Sequence, residues 1–244
     1  MTILVIADIH SNLAALDAVL QDAGTVNAVW SLGDMVGYGP QPNEVIARLR
    51  ELDTQCVAGN HEWAALGKLD LDTFNPAAAA AAEWTAAALS VETRRYLSGL
   101  LTTWRDDGVT AVHGSPRDPI WEYVLSETVA RANFAHFDTP LCLYGHTHIP
   151  AAYAEGSGGS DAGPRGYMQG GDTILLRAGE RYLLNPGSVG QPRDGDPRAS
   201  YLLFDPEARS ATWRRVEYDI ERTQILMQRA GLPGVLWQRL TWGR

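Results

Sequence analysis

The chain opens with Ile3-Leu-Val-Ile-Ala7-Asp8-Ile-His10-Ser-Asn12, an apolar run that stops at an aspartate and a histidine. The run predicts a buried strand over residues 3–7. Residues 12–23 follow with Leu13, Leu16, Val19 and Leu20 on one face of a helix. A strand, two polar side chains and a helix form the first half of a βαβ unit. The same rhythm recurs, with strands over residues 28–32 and 54–58 and a helix over 42–52. It predicts a largely parallel sheet with helices outside.

Residues 61–101 read as strongly helical, with Asn75 as a cap and Pro76 at the first helical position. Strands over 102–104 and 109–112 flank a hairpin turn at Asp107-Gly108. A helix over 126–136 and a strand over 140–144 complete this half. The second half is strand-rich, over residues 151–155, 173–177, 182–184, 200–204 and 211–218, which predicts a second, mostly antiparallel sheet. Residues 156–171 contain seven glycines and read as a surface loop. A last helix covers 219–230, and the tail carries Trp237 and Trp242, whose rings are expected to pack. No repeat or linker divides the chain. The expectation is one domain over residues 1–244, with a helical insert at about 61–101.

Composition narrows the function. An apolar fraction of 45%, a charged fraction of 20% and a net charge of −9 describe a soluble globular protein without a broad nucleic-acid or anionic-membrane surface. A small phosphorylated substrate stays open, because bound metal can supply local positive charge. Cys56 and Cys142 sit in apolar runs and read as buried free thiols. The N-terminus lacks a basic region, and no apolar stretch is long enough to cross a membrane, so a cytoplasmic location is expected.

Five strand-like runs end in a glycine, a metal-type side chain, or both. They lead to Asp8 and His10, to Gly33-Asp34, to Gly59-Asn60-His61, to His113-Gly114 and to Gly145-His146-Thr-His148. Ligands of open α/β sheets bind at the carboxyl ends of strands. His146 and His148, two apart in extended chain, point to one side. Five of the six histidines fall in this set; His136 alone lies outside it, on a helix, and reads as structural. Two aspartates, one asparagine and four histidines make seven donors, with His61 left over. One ion rarely needs seven; two ions sharing a carboxylate account for the number.

In order, Asp-x-His, Gly-Asp, Gly-Asn-His-Glu, His and Gly-His-x-His resemble the calcineurin-like metallophosphoesterase superfamily across residues 8–148. Asn185-Pro-Gly-Ser-Val-Gly190 extends the likeness more weakly, to small bacterial members. The resemblance implies a four-layer α/β/β/α sandwich of two mixed sheets. It implies that Asp8, His10 and His148 hold one metal, that Asn60, His113 and His146 hold a second, and that Asp34 bridges them. His61 takes the place of the acid beside the metals. Two divalent ions per chain are expected, with manganese preferred on resemblance and iron, zinc, nickel or cobalt as alternatives.

The expected chemistry is phosphoester hydrolysis by a hydroxide held between the metals, with His61 protonating the leaving oxygen or stabilising its charge. Glu62 either orients His61 or faces the dipole of a helix N-terminus. Ser/Thr phosphatases of the superfamily carry arginines after Gly-Asp and before Gly-Asn-His. Here Met35 through Gly39 and Ala58 stand in those stretches, with no arginine. A monoester dianion loses two charge-assisted partners, so the reading favours a phosphodiesterase acting on a small or nucleotide-like substrate. A phosphomonoesterase or dinucleoside polyphosphate hydrolase is the alternative, and a non-catalytic scaffold of this fold is a third reading. Arg117 and Arg193 are candidate substrate contacts, although a plain surface arginine is the favoured reading of each. The helical stretch with Trp63, Phe74 and Trp84 either roofs the site or faces the core. Tyr38 and Asn43 are candidates for the rim. Extended nucleic acid is not an expected partner, and the oligomeric state is left open.

Overall fold

The structure, a computed structural model, describes residues 1–106, 108–156 and 165–244. The chain begins with β1 (Ile3–Ile6), α1 (Leu13–Ala23), β2 (Ala28–Ser31), α2 (Pro42–Glu51), β3 (Gln55–Cys56), α3 (Asn60–Ala65), α4 (Pro76–Ala88) and α5 (Val91–Ser98). It continues with β4 (Thr103–Asp106), β5 (Val109–Val112), α6 (Glu127–Asn133), β6 (Leu141–Leu143), β7 (Ala151–Glu155), β8 (Arg165–Tyr167) and β9 (Thr173–Leu175). β10 (Arg181–Asn185), β11 (Ala199–Asp205), β12 (Ser210–Val216), α7 (Ile220–Arg229) and α8 (Gly234–Gln238) complete it.

The strands form two six-stranded sheets, in the orders β3-β2-β1-β11-β12-β9 and β4-β5-β6-β10-β7-β8. β1, β2 and β3 are parallel in the first sheet, and β5, β6 and β10 in the second. The strands of the second half do not make a sheet of their own, as the sequence suggested. β11 pairs antiparallel with β1, and β10 pairs parallel with β6, so each half of the chain contributes to both sheets. Local patterning marks where a strand lies, whereas its partner is set by which apolar faces close over one another.

Alternation along β1 shows the layering. Ile3, Val5 and Ala7 join Leu143, Leu184, Leu202 and Trp213 in the apolar layer between the sheets. Leu4 and Ile6 point the other way, into a cluster with Leu16 and Val19 of α1 and Val45, Ile46 and Leu49 of α2. On the far face, Cys142, Tyr144 and Tyr153 pack with Ala130 of α6 and with Phe134. The result is a four-layer α/β/β/α sandwich. Burying one such aliphatic side chain stabilises by about 1.5–3 kcal/mol, so a charge at Val5, fully buried between the sheets, would undo the pairing.

Helix starts follow the sequence. Asn12 Oδ1 accepts the Ala15 N–H at 3.2 Å, and Asn75 Oδ1 accepts that of Ala78 at 3.0 Å. Residues 61–101 fold mainly into α3, α4 and α5, with Asn60 as the first residue of α3. β4 and β5, on either side of the expected turn at Asp107-Gly108, do pair antiparallel; the turn itself is not placed, because Asp107 lies outside the described residues. Much of the glycine-rich stretch 156–171 also lies outside them, at 157–164; β8 then occupies part of the expected loop. His136 ends a short 3-10 turn after α6 and is exposed. Trp237 packs beside Leu236 and Leu240, whereas Trp242 is 67% exposed, contrary to the expectation that both rings pack. Both cysteines are free and buried. Among the described residues no helix is long and apolar enough to cross a membrane.

Candidate metal centre

Five strands deliver the polar residues to one edge of the sandwich. Asp8 and His10 lie between β1 and α1, Asp34 follows β2, and Asn60 and His61 open α3 after β3. His113 follows β5, and His146 and His148 follow β6. All eight side chains are buried. Backbone bonds tie the loops together: His10 N–H donates to Asp34 O at 2.9 Å, and Gly145 N–H to His113 O at 2.8 Å. Five of these residues, Asp8, His10, Asp34, His146 and His148, have φ between 50° and 65°. That left-handed region is uncommon for non-glycine residues and is retained where the surroundings enforce it. A Cβ on Gly59 would lie 2.2 Å from Asp34 Oδ1, so only glycine lets these two turns meet.

The donor atoms form two clusters that share Asp34. Asp8, His10, Asp34 and His148 form one, and Asp34, His113 and His146 the other, with the ligand atoms of each within 4.8 Å of one another. Asn60 Oδ1 joins the second, 3.1 Å from His113 Nε2. Asp34 Oδ2 stands between them, 3.7 Å from His10 Nε2 and 3.2 Å from His113 Nε2.

The hydrogen bonds specify which nitrogens are free. Nδ1 of His10 donates to Val36 O at 3.2 Å, Nδ1 of His113 to Leu32 O at 2.9 Å, and Nδ1 of His148 to Gln191 O at 2.6 Å. A carbonyl only accepts, so in the neutral ring the proton sits on Nδ1 and Nε2 carries the lone pair. His10 Nε2 and His148 Nε2 then face each other at 3.1 Å, lone pair to lone pair. His113 Nε2 and His146 Nδ1 lie 3.0 Å apart, while His146 Nε2 is buried without a partner. Such an array is repulsive alone and attractive around a cation. Burial holds His10, His146 and His148 well below the usual imidazole range, which keeps them neutral. Burial also pushes Asp8 up to about 8. Burial opposes the charge on Asp34 as well, but His113, His61 and His10 hold its carboxyl well below the usual range. His113 is lowered by burial, yet Asp34 and Asp8 outweigh this and take it to about 9. Cations bound here would displace the protons of Asp8 and His113, as metal binding to such groups does, and with those protons gone the two donor clusters fit a pair of divalent cations, with the ionised Asp34 belonging to both.

The Asn185–Gly190 stretch buttresses the site. Ser188 Oγ donates to Asp8 O at 2.8 Å, and Gly190 N–H donates to the same oxygen at 3.0 Å. Asn185 Nδ2 donates to Gly145 O at 2.8 Å. Glu62 does not touch His61. It caps its own helix through Gly59 N–H at 2.7 Å and reaches across to the backbone of Asp34 and Val36.

A cavity of about 100 Å³ lies over the donors, lined by Asp34, Asn60, His61, His146 and His148. Arg193 also lines it, its guanidinium 5.9 Å from the Tyr38 ring centre. Arg117 does not: both its Nε and its NH2 group bind Glu122. Tyr38 reaches the rim, whereas Asn43 instead binds Ala88 O and Ser90 N. Of Trp63, Phe74 and Trp84, Phe74 alone lines the cavity. Trp63 lies by Lys68, and Trp84, on α4, packs against the cluster that holds Ala78, Ala81 and Met227. Trp121 and Tyr123 also line it and escaped sequence reading, because residues 119–125 carry no periodic pattern and do not end an apolar strand-like run in glycine or histidine.

A two-sheet sandwich with paired Asp/His clusters at its strand ends is the architecture of a metallophosphoesterase. Residues 1–209 match the calcineurin-like phosphoesterase superfamily domain, and the chain belongs to that superfamily of phosphoester hydrolases. It is 49% identical to a metallophosphoesterase from Sphaerobacter thermophilus, with a TM-score of 0.90 over 100% of this chain and 99% of that one. It is 39% identical to the uncharacterized protein MJ0912 of Methanocaldococcus jannaschii over 249 residues, covering 99% of this chain and 98% of the relative. The hypothetical protein PH1004 of Pyrococcus horikoshii OT3, at 21% identity and a TM-score of 0.81 over 100% and 98% of the two chains, shares the fold.

Proposed function

We propose that the protein is a phosphodiesterase acting on a small or nucleotide-like diester with two divalent ions, manganese foremost, in the cytoplasm. The observation that carries the reading is the cationic content of the cavity: among the described residues that line it, Arg193 is the one lysine or arginine. A diester phosphate carries one negative charge, and one guanidinium matches it; a monoester dianion is served better by several.

When bound, two divalent ions neutralise phosphoryl oxygens and make water a nucleophile near neutral pH. The chain supplies the rest. Asp34 sets the spacing of the two donor clusters. Arg193 binds a non-bridging oxygen and orients the phosphorus. His61, lowered by burial to about 4, is neutral at pH 7 and lines the same cavity. Its ring offers an N–H to the leaving oxygen as charge develops there. Phe74 and Tyr38 pack on the His61 ring and limit water access, at centroid distances of 5.6 and 4.3 Å.

The test is a comparison of bis-p-nitrophenyl phosphate with p-nitrophenyl phosphate on protein stripped of metal and reloaded with single divalent ions. Higher kcat/KM on the diester, greatest with manganese, is expected. A clear preference for the monoester would replace this reading with a phosphomonoesterase.

A further inference from the structure

The rings around the cavity form a continuous arc. Phe74 meets His61 edge to face at 5.6 Å and Trp121 at 5.1 Å, and Trp121 meets His146 at 6.3 Å. Tyr123 lies flat on the same His146 ring, at 3.9 Å and 29°. The Phe74–Trp121 pair thus spans the opening between His61 and His146. The two residues come from separate segments, at 71–75 and 119–123. Among the described residues no hydrogen bond or ion pair joins these segments. Each is tied to its own neighbourhood, Phe74 N–H to Leu71 O and Trp121 N–H to Asp118 Oδ1. Both rings are half-buried, leaving apolar surface at the mouth.

A cavity of about 100 Å³ holds a phosphoryl group but not a bulky alcohol as well. The organic part of the substrate must therefore extend through the mouth, where the nearest surfaces are the rings of Phe74 and Trp121. We propose that these two residues form the wall that binds the alcohol group and select a planar, aromatic one, an aryl group or a nucleobase. Ring faces gain from flat apolar partners and little from small alkyl groups. This rests on the phosphoesterase reading above and adds the class of alcohol to it.

Binding of non-hydrolysable anions separates the two claims. Metal-reconstituted protein is titrated calorimetrically with inorganic phosphate, methylphosphonate and phenylphosphonate. Phenylphosphonate is expected to bind about tenfold more tightly than methylphosphonate, the order of one aromatic stack. Trp121→Leu and Phe74→Leu should each remove most of that ratio, while Trp121→Phe restores part of it; thermal melting and metal content verify that each variant is folded. Equal affinity of the two phosphonates in the wild type, or tighter phenylphosphonate binding after truncation, would show a steric barrier and overturn the wall while leaving the hydrolase reading intact. Failure to bind all three anions would overturn both.

Discussion

Glu62 holds Asp34 by its backbone: Oε2 accepts the Asp34 N–H at 2.9 Å. The same carboxylate takes the N–H of Gly59 at 2.7 Å and of Val36 at 3.0 Å, so one buried side chain ties the β2 turn to the start of α3. Asp34 belongs to both donor clusters, and its position thus depends on a residue that contributes no donor atom to either. Burial pushes Glu62 up to about 7, and the Val36 and Gly59 bonds pull the other way. Glu62→Gln puts an NH2 group where an oxygen accepted, leaving at least one buried N–H facing a donor. Metal affinity should fall about 10–100-fold, as is typical when a group supporting a ligand is lost. Competition with a chromophoric chelator measures it; an unchanged affinity would mean that Asp34 is held adequately without Glu62.

Gly37 sets the place of His61. Its φ is +89°, and a Cβ there would lie 2.3 Å from His61 Nδ1. Gly37→Ala therefore strains the turn and displaces the ring. Turnover on a reactive diester is expected to drop by about 10² or more, the usual contribution of one placed hydrogen-bond donor to a developing negative charge. Metal content, measured by elemental analysis, should stay near two ions per chain, because no ligand is moved. Loss of metal together with activity would make His61 part of the ligand scaffold.

The positions of Gly37 and Glu62 also mark how far the sequence could be read. Strand ends carrying Asp8, Asp34, Asn60, His113 and His146 were legible, because an apolar run followed by glycine and a metal-type side chain is a local pattern. The conformations that converge them were not. Nothing in the letters Asp8 or His148 announces φ of 54° or 59°, since that strain is imposed by the loops packed around them. Glu62 was ambiguous for a similar reason. A carboxylate three residues beyond Gly59 fits a helix cap, and it does cap α3, but its hold on Asp34 depends on a contact between residues 28 apart. Sheet membership failed likewise: β10 and β11 were found as strands, while their partners β6 and β1 lie far away in sequence.

Arg193 and Arg117 looked alike as loop arginines and now separate. Arg193 lines the cavity with its Nε buried and unpartnered, and its N–H donates to His148 O at 3.3 Å. Arg193→Ala should lower kcat/KM for a diester by about tenfold or more, chiefly through KM, as expected when a charge-assisted hydrogen bond to substrate is lost. Arg193→Lys should recover only part, because an ammonium lacks the guanidinium fork. Arg117→Ala should leave the diester kinetics within error, and a matching loss there would mean that the Glu122 pair governs the site.

Glu122 gives a pH signature of the fold that is separate from the metals. Burial raises its carboxyl, but bonds from Arg117, Ser115 and Asn133 outweigh this and bring it to about 2, against an ordinary 4.5. The carboxylate also accepts Ser115 Oγ at 2.6 Å and Asn133 Nδ2 at 2.8 Å, which fastens the loop carrying Trp121 to α6. A folded value below the unfolded one means that ionised Glu122 stabilises the native state above pH 4.5. The contribution declines as the pH falls from about 4.5 towards 2 and is absent below both values. Glu122→Gln should therefore melt at a lower temperature than the wild type at pH 7, and the gap should narrow steadily between pH 4.5 and the lowest pH at which the fold persists. Differential scanning calorimetry of both proteins across that range, each with metal removed, reads the gap directly. A gap that stays constant with pH would mean that the loop is held by shape and not by this charge.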